Sequence, residues 1–164
     1  MQWRIAVLTS SDAGAAGERQ DVSGAILRDA AEKMGTVQAS CVLPDDYERL
    51  RQQILQWVEA GIDLVVTTGG TGIGPRDVMP EVTASLAERL LPGLAEAMRA
   101  ESLRHTPFGM LSRGLAAVRG QCLIVNFPGS PRAVQQLIPV VFPVLPHALA
   151  LIHGQTAHEK PPDN

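Results

Sequence analysis

The sequence predicts an α/β fold in which a parallel sheet is covered by helices on both faces. Three observations carry that expectation. Residues 5–8, 62–67 and 122–127 are short, continuous apolar runs, as strands buried on both sides require. Amphipathic helical patterns separate the early runs, giving the order β-α-β-α-β over residues 1–67. At 164 residues the chain has material for one core rather than two.

The elements follow in order. Residues 3–9, centred on Ile5-Ala6-Val7-Leu8, form the first expected strand, and the Ser-, Gly- and Asp-rich residues 10–20 read as a loop. A helix is expected from Ser23 to Gly35, with Ile26, Ala30 and Met34 at i, i+4 and i+8 and Gly35 as its stop. Residues 37–43 give a second strand, closed by Pro44. Residues 46–60 give a second helix with Leu50, Ile54, Trp57 and Val58 on one face, and residues 62–67 a third strand. After a glycine-rich loop, Pro80 opens a third helix carrying Val82, Leu86 and Leu90 in register. Leu91-Pro92-Gly93 interrupts it, and a fourth helix runs to about His105. Residues 106–120 are expected to be irregular or a hairpin, followed by the last strand at 122–127. Ser130 caps a final helix with Pro131 in its first turn. Pro139, Pro143 and Pro146 should divide that helix into two segments. Residues 1–154 are expected to form a single domain and residues 155–164 a flexible tail.

Composition narrows the function. A net charge of −3 argues against a general nucleic-acid binder, which carries a basic surface. It leaves room for an anionic ligand, because backbone amides and one or two Arg can hold a phosphate locally. Cys41 and Cys122 lie in apolar runs without CxxC spacing and read as reduced thiols inside strands. No basic leader precedes the first strand, and prolines interrupt the apolar stretch 137–152. Neither a targeting segment nor a membrane span is therefore expected, and a cytoplasmic location follows.

The most informative segment is Thr67-Thr68-Gly69-Gly70-Thr71-Gly72-Ile73-Gly74-Pro75-Arg76-Asp77. It follows a predicted parallel strand, at the edge where open α/β sheets place their ligands. Its four glycines allow close backbone approach to an anion. No Gly-Lys-Ser/Thr follows, so it is not a P-loop, and it lacks the dinucleotide fingerprint. Asp77 ends this loop and Asp45 ends the second strand, which puts both on one sheet edge. Two acids facing a phosphate suit Mg²⁺. Asp45-Asp46-Tyr47-Glu48 also reads as a capping box, so Asp45 or Asp46 could instead cap the second helix. Ser10-Ser11-Asp12 after the first strand and Asn126 to Ser130 after the last add polar residues to the same edge. The four histidines show no ligand spacing, and no Ser/His/Asp grouping or GxSxG elbow occurs.

These motifs resemble the MogA/MoaB family of molybdenum-cofactor biosynthesis proteins, which is similar to the G domain of gephyrin. The resemblance rests on Ile5 to Asp12, Asp21-Val22-Ser23-Gly24, Val42 to Asp46, Thr68 to Thr83, Pro92-Gly93-Leu94, Thr106 to Arg113 and Asn126 to Pro131. It implies a three-layer α/β/α fold around a mixed, mostly parallel sheet, assembled as a homotrimer. The implied reaction is adenylyl transfer from Mg-ATP to the terminal phosphate of molybdopterin, with release of pyrophosphate. Asp45 and Asp77 would be catalytic and hold Mg²⁺. Gly69, Gly70, Thr71, Gly72 and Ser102 would bind the pterin and its phosphate. Ser11, Asp12, Asn126, Pro128 and Gly129 would line the nucleotide side, and a hand-over to a molybdate-inserting protein would follow.

One residue departs from the family pattern. Met79 stands where the family has Thr before Pro80. Met cannot accept a capping hydrogen bond, which costs about 1 kcal/mol, so Asp77 or a water is expected to cap the third helix. Two other functions compete: a molybdopterin-binding carrier that does not adenylylate, and a nucleotide-hydrolysing relative of the competence-damage family. The Asp45 and Asp77 pair favours the transferase over a simple binder.

Overall fold

The computed structural model describes residues 2–155. Six strands form one sheet in the order β2-β1-β3-β6-β5-β4. β1 (Trp3–Ser10), β2 (Gly35–Leu43), β3 (Leu64–Thr68) and β6 (Cys122–Phe127) run parallel. β5 (Ala116–Arg119) returns antiparallel to β6 through a tight turn at Gly120, and β4 (Arg89–Leu90) pairs antiparallel with β5. The sheet is therefore mixed and mostly parallel, as expected.

Side-chain alternation along β1 builds two cores from one strand. Ile5 and Val7 face a layer made by α2 (Val22–Glu32), α5 (Pro92–His105), α6 (Pro131–Val141) and α7 (Leu145–Ile152). Ala6 and Leu8 face α3 (Tyr47–Glu59) and α4 (Met79–Leu86). Helices thus cover both faces, completing the three layers. Strand β2 is only half buried because it is an edge strand.

Three sequence expectations shift. The 10–20 loop contains a one-turn helix, α1 (Asp12–Ala15), capped by Ser11. On α2 the buried line is Ser23, Leu27 and Ala31; the expected Ile26 and Ala30 flank it half-buried, Met34 lies beyond its end, and Gly35 opens β2 rather than stopping the helix. Helix α4 stops at Leu86, and Leu90 is 57 % exposed on β4 rather than in helical register. The competing force is pairing: Glu88 and Leu91 donate their N–H groups to the Val118 and Ala116 carbonyls, holding the segment extended.

The C-terminal helix divides as its prolines predict. A 3-10 turn at Phe142–Val144 separates α6 from α7, while Pro139 is accommodated inside α6. Pro131–Ile152 is long and apolar enough to cross a membrane by length and composition, yet its Val134, Leu137, Val141, Leu145 and Leu149 belong to the core. The Gln155 N–H still bonds to the Ala150 carbonyl; the rest of the expected tail, 156–164, lies outside the described residues. Cys41 is half-buried and Cys122 buried, with burial pushing their thiols up to about 11 and about 12.

The cap of α4 is not the expected one. Its N-cap is Val78, which offers no side-chain bond, and Met79 is the first helical residue. The Met79 N–H donates to the Gly70 carbonyl, and its side chain is fully buried beside Val82 and Leu86. Asp77 instead turns its carboxylate back into the loop, where Oδ2 accepts from the Gly74 N–H at 2.8 Å. Met79 therefore contributes packing rather than a cap. Met79→Thr should lower stability by about 2–4 kcal/mol, read as a decrease in urea midpoint with an unchanged slope.

Candidate active site

The C-terminal ends of β1, β3 and β6 meet around the glycine turn. Gly69 and Gly70 both take positive φ, 90° and 69°, which only glycine adopts freely. A Cβ on Gly69 would lie 2.3 Å from the Ser10 carbonyl oxygen, so the turn rests directly on the end of β1. On its other side the Gly69 N–H donates to the Phe127 carbonyl, and the Thr68 hydroxyl donates to the Pro128 carbonyl at 2.8 Å. The turn is pinned from both neighbouring strands.

A cleft of about 590 Å³ opens beside this turn, within the range of small-ligand sites. Asp45, Asp77, Gly69, Gly70, Ser11 and Gly129 line it. The N-termini of α2 and α6 also border it, through Asp21 to Ser23 and Ser130-Pro131. Each helix is 11 residues long, and their positive ends favour an anion between them. Arg19 adds a cationic side chain to the wall.

Asp45 and Asp46 divide the two tasks left open by the sequence. Asp46 caps α3 by accepting from the Arg49 N–H at 2.9 Å. Asp45 is thereby free of the helix. Its Oδ1 accepts from the Ser10 hydroxyl at 2.6 Å and its Oδ2 from the Asp12 N–H at 3.2 Å. Each acid keeps acceptor capacity beyond these bonds. Among the described residues no group of three or more His, Cys, Asp or Glu could hold a metal. Two carboxylates completed by phosphate oxygens and waters nonetheless fit Mg²⁺, which seldom takes an all-protein cage.

The other expected site residues scatter. Ser102 lines a second cavity of about 310 Å³ with Pro128 and Arg132, and Ser130 borders both cavities. Thr71 is buried and, like Gly72, lines neither. Gly72 serves Asp77 instead, because a Cβ there would lie 2.8 Å from the Asp77 Oδ2. Asp12 does not line the cleft. Its carboxylate is held below the usual range by the Arg76 guanidinium and then by the Asp45 N–H.

Asn126 is placed differently from the expectation. It is 1 % exposed, faces the interior and lines neither cavity. Its Nδ2 donates to the Thr67 and Thr83 hydroxyls at 3.0 and 2.8 Å, and its Oδ1 accepts from the Leu115 N–H at 3.1 Å. A polar residue at the end of a buried strand must find partners inside, and these satisfy it.

Arg113 is the main residue that sequence reasoning left without a role. Its N–H and Nε donate to the Thr71 and Gly72 carbonyls at 2.8 and 2.7 Å, and its NH2 to the Asp77 carbonyl at 3.0 Å. Its NH1 pairs with Glu81, holding that carboxyl below the usual range. One residue thus fastens the middle of the glycine loop and its end. No spacing signal links residues 71–77 to 113, so only folding reveals it.

Residues 6–147 match the family model described as "Probable molybdopterin binding domain". The chain belongs to this family. Among curated relatives, the molybdopterin adenylyltransferase of Helicobacter pylori strain J99 is 34 % identical over 154 residues, covering 92 % of this chain and 88 % of that protein. Gephyrin of Dictyostelium discoideum is 38 % identical over 171 residues, covering 98 % of this chain but only 24 % of gephyrin. The chain therefore spans most of the length of the small bacterial relative and about a quarter of the larger one. The crystal structure of the molybdopterin biosynthesis enzyme MoaB from Thermus thermophilus superposes with a TM-score of 0.87 at 44 % identity, covering 93 % and 98 % of the two chains. The fold is thus the one expected from the strand and helix pattern, and the molybdenum-cofactor biosynthesis family the one that the sequence resembles.

The interior role of Asn126 has a measurable consequence. Asn126→Leu leaves the Leu115 N–H and two buried hydroxyls without their partner. It should destabilise the protein by about 2–3 kcal/mol, seen as a lower urea midpoint, with the loss present whether or not a nucleotide is added.

Proposed function

We propose that this chain transfers the adenylyl group of ATP to the terminal phosphate of molybdopterin, releasing pyrophosphate. The observation that carries the reading is that Asp45 and Asp77 line one cleft with the Gly69-Gly70 turn. The names of the relatives support the same chemistry. Mg²⁺ bound at the two carboxylates with ATP would neutralise the charge that gathers on the phosphates.

The reaction asks the protein for position and charge rather than for a nucleophile. A terminal phosphate oxygen of the pterin forms a bond to the α-phosphorus of ATP, and the bond from that phosphorus to the β-phosphate bridge breaks. The attacking phosphate is already ionised at neutral pH, so no His or Cys base is needed. The Gly69-Gly70 backbone and the positive ends of α2 and α6 would hold the phosphates in line. Thr71 and Gly72 would act behind them, shaping the turn rather than touching the ligand. Ser102 would meet the pterin from the second cavity, with Pro128, Gly129 and Ser11 on the nucleotide side.

The same proposal includes residues 1–154 acting as one unit, a cytoplasmic location, assembly as a homotrimer and hand-over of product to a molybdate-inserting protein. Supporting the assembly, Phe108 and Met110 are 75 % and 67 % exposed beside the exposed Leu103 of α5. Apolar side chains gathered at a surface mark contact sites.

Incubation with molybdopterin, ATP and Mg²⁺ should yield pyrophosphate and adenylylated pterin in equal amounts. Asp77→Asn should reduce turnover by about 100-fold or more while leaving the melting temperature nearly unchanged. Pterin binding with no adenylylated product from the unaltered chain would point to a carrier instead.

A further inference from the structure

We propose that Arg76 and Asp12 form a positioning clamp that fixes where Asp45 and Asp77 sit relative to one another in the cleft. This rests on the adenylyl-transfer reading and names residues that act through the two acids without touching the ligand.

The contacts form a continuous chain between the two loops that carry those acids. Arg76 sits immediately before Asp77. Its Nε donates to the Asp12 Oδ2 at 3.0 Å and its NH2 to the Asp12 Oδ1 at 2.9 Å, a two-pronged pair. The same Asp12 Oδ1 accepts from the Asp45 N–H at 2.9 Å, and the Asp12 N–H donates to the Asp45 Oδ2 at 3.2 Å. The Ser10 hydroxyl closes on the other oxygen of Asp45. Asp45 is thus held at its backbone and at both carboxylate oxygens, and Asp12 supplies two of those contacts.

Exposure separates positioning from stability. The Arg76 and Asp12 side chains are 63 % and 46 % exposed, and such pairs contribute little to folding. The glycine loop is already fastened elsewhere, by Arg113 at Thr71, Gly72 and Asp77. What the pair adds is relative placement of the 76–77 and 12–45 segments. Errors of about 1 Å in a phosphoryl-transfer site cost on the order of 100-fold in rate. Lysine could not substitute, because its ammonium is a point charge without the planar fork.

Arg76→Lys, Arg76→Gln, Asp12→Asn and the Arg76→Gln/Asp12→Asn double variant test the clamp. Two readouts are taken: Mn²⁺ affinity by electron paramagnetic resonance with a non-hydrolysable ATP analogue, and the Mg²⁺ concentration giving half-maximal adenylylation. Each single variant should keep its melting temperature, weaken Mn²⁺ binding about 10-fold and raise the Mg²⁺ requirement similarly. Lys should behave like Gln, and the double variant should be no worse than the worse single one. Unaltered Mn²⁺ affinity in both Arg76 variants, additive losses in the double variant, or losses that only track a lowered melting temperature would overturn the clamp alone. A wild-type chain that binds no Mn²⁺ and forms no adenylylated pterin would overturn the functional reading as well.

Discussion

The backbone of Gly69 lies so close to the end of β1 that a single added carbon would collide with the Ser10 carbonyl. On the opposite flank Gly129 approaches the same residue, where a Cβ would lie 3.3 Å from the Gly69 Cα. Three strand ends can converge on one turn only because side chains are missing at these points. The cleft, the orientation of the loop and the placement of both acids follow from that approach. Parallel pairing of β1, β3 and β6 brings the three ends to one edge, and the glycines let them close on each other.

Charge is then distributed around the turn by division of labour among neighbouring acids. Asp46 and Asp21 each cap a helix, and Asp21 also accepts from the Thr9 hydroxyl. Asp12 is taken by Arg76 and by the Asp45 N–H. Asp45 and Asp77 keep acceptor capacity in the cleft that the positive ends of α2 and α6 also border. A chain with a net charge of −3 can thereby present a local site for anions, because the attraction comes from oriented amides rather than from excess cations.

Legibility differed by element for physical reasons. Strands β1, β3 and β6 were readable as continuous apolar runs, helix α3 because its period and its capping aspartate agree, and helix α5 from the Pro92 that opens it. Strand β4 was not, because two residues held by a partner strand leave no periodic trace and Leu90 happens to fall in helical register with Leu86. Helix α2 was found with its buried line displaced, since Ile26 and Leu27 are adjacent apolar residues and only packing selects between them. That Asp45, Asp77, Gly69 and Gly70 would share one cleft was legible from their places at the strand ends and in the glycine loop. Asn126 was placed correctly along the strand but on the wrong side of it, and Arg113 carried no local signal.

The sequence by itself determined the layered α/β architecture, the edge of the sheet that carries the site, and the family. Those properties reside in hydrophobic period, turn chemistry and one dense glycine motif, all of which are local along the chain. Tertiary structure alone decided which of two adjacent aspartates capped a helix and which faced the cleft. It also decided that Asn126 points inward, that Met79 packs rather than caps, and that Arg113 and Arg76 hold the loop. Each of those outcomes depends on partners distant in sequence, whose competition for the same hydrogen bonds and the same buried volume is settled only when the strands have come together.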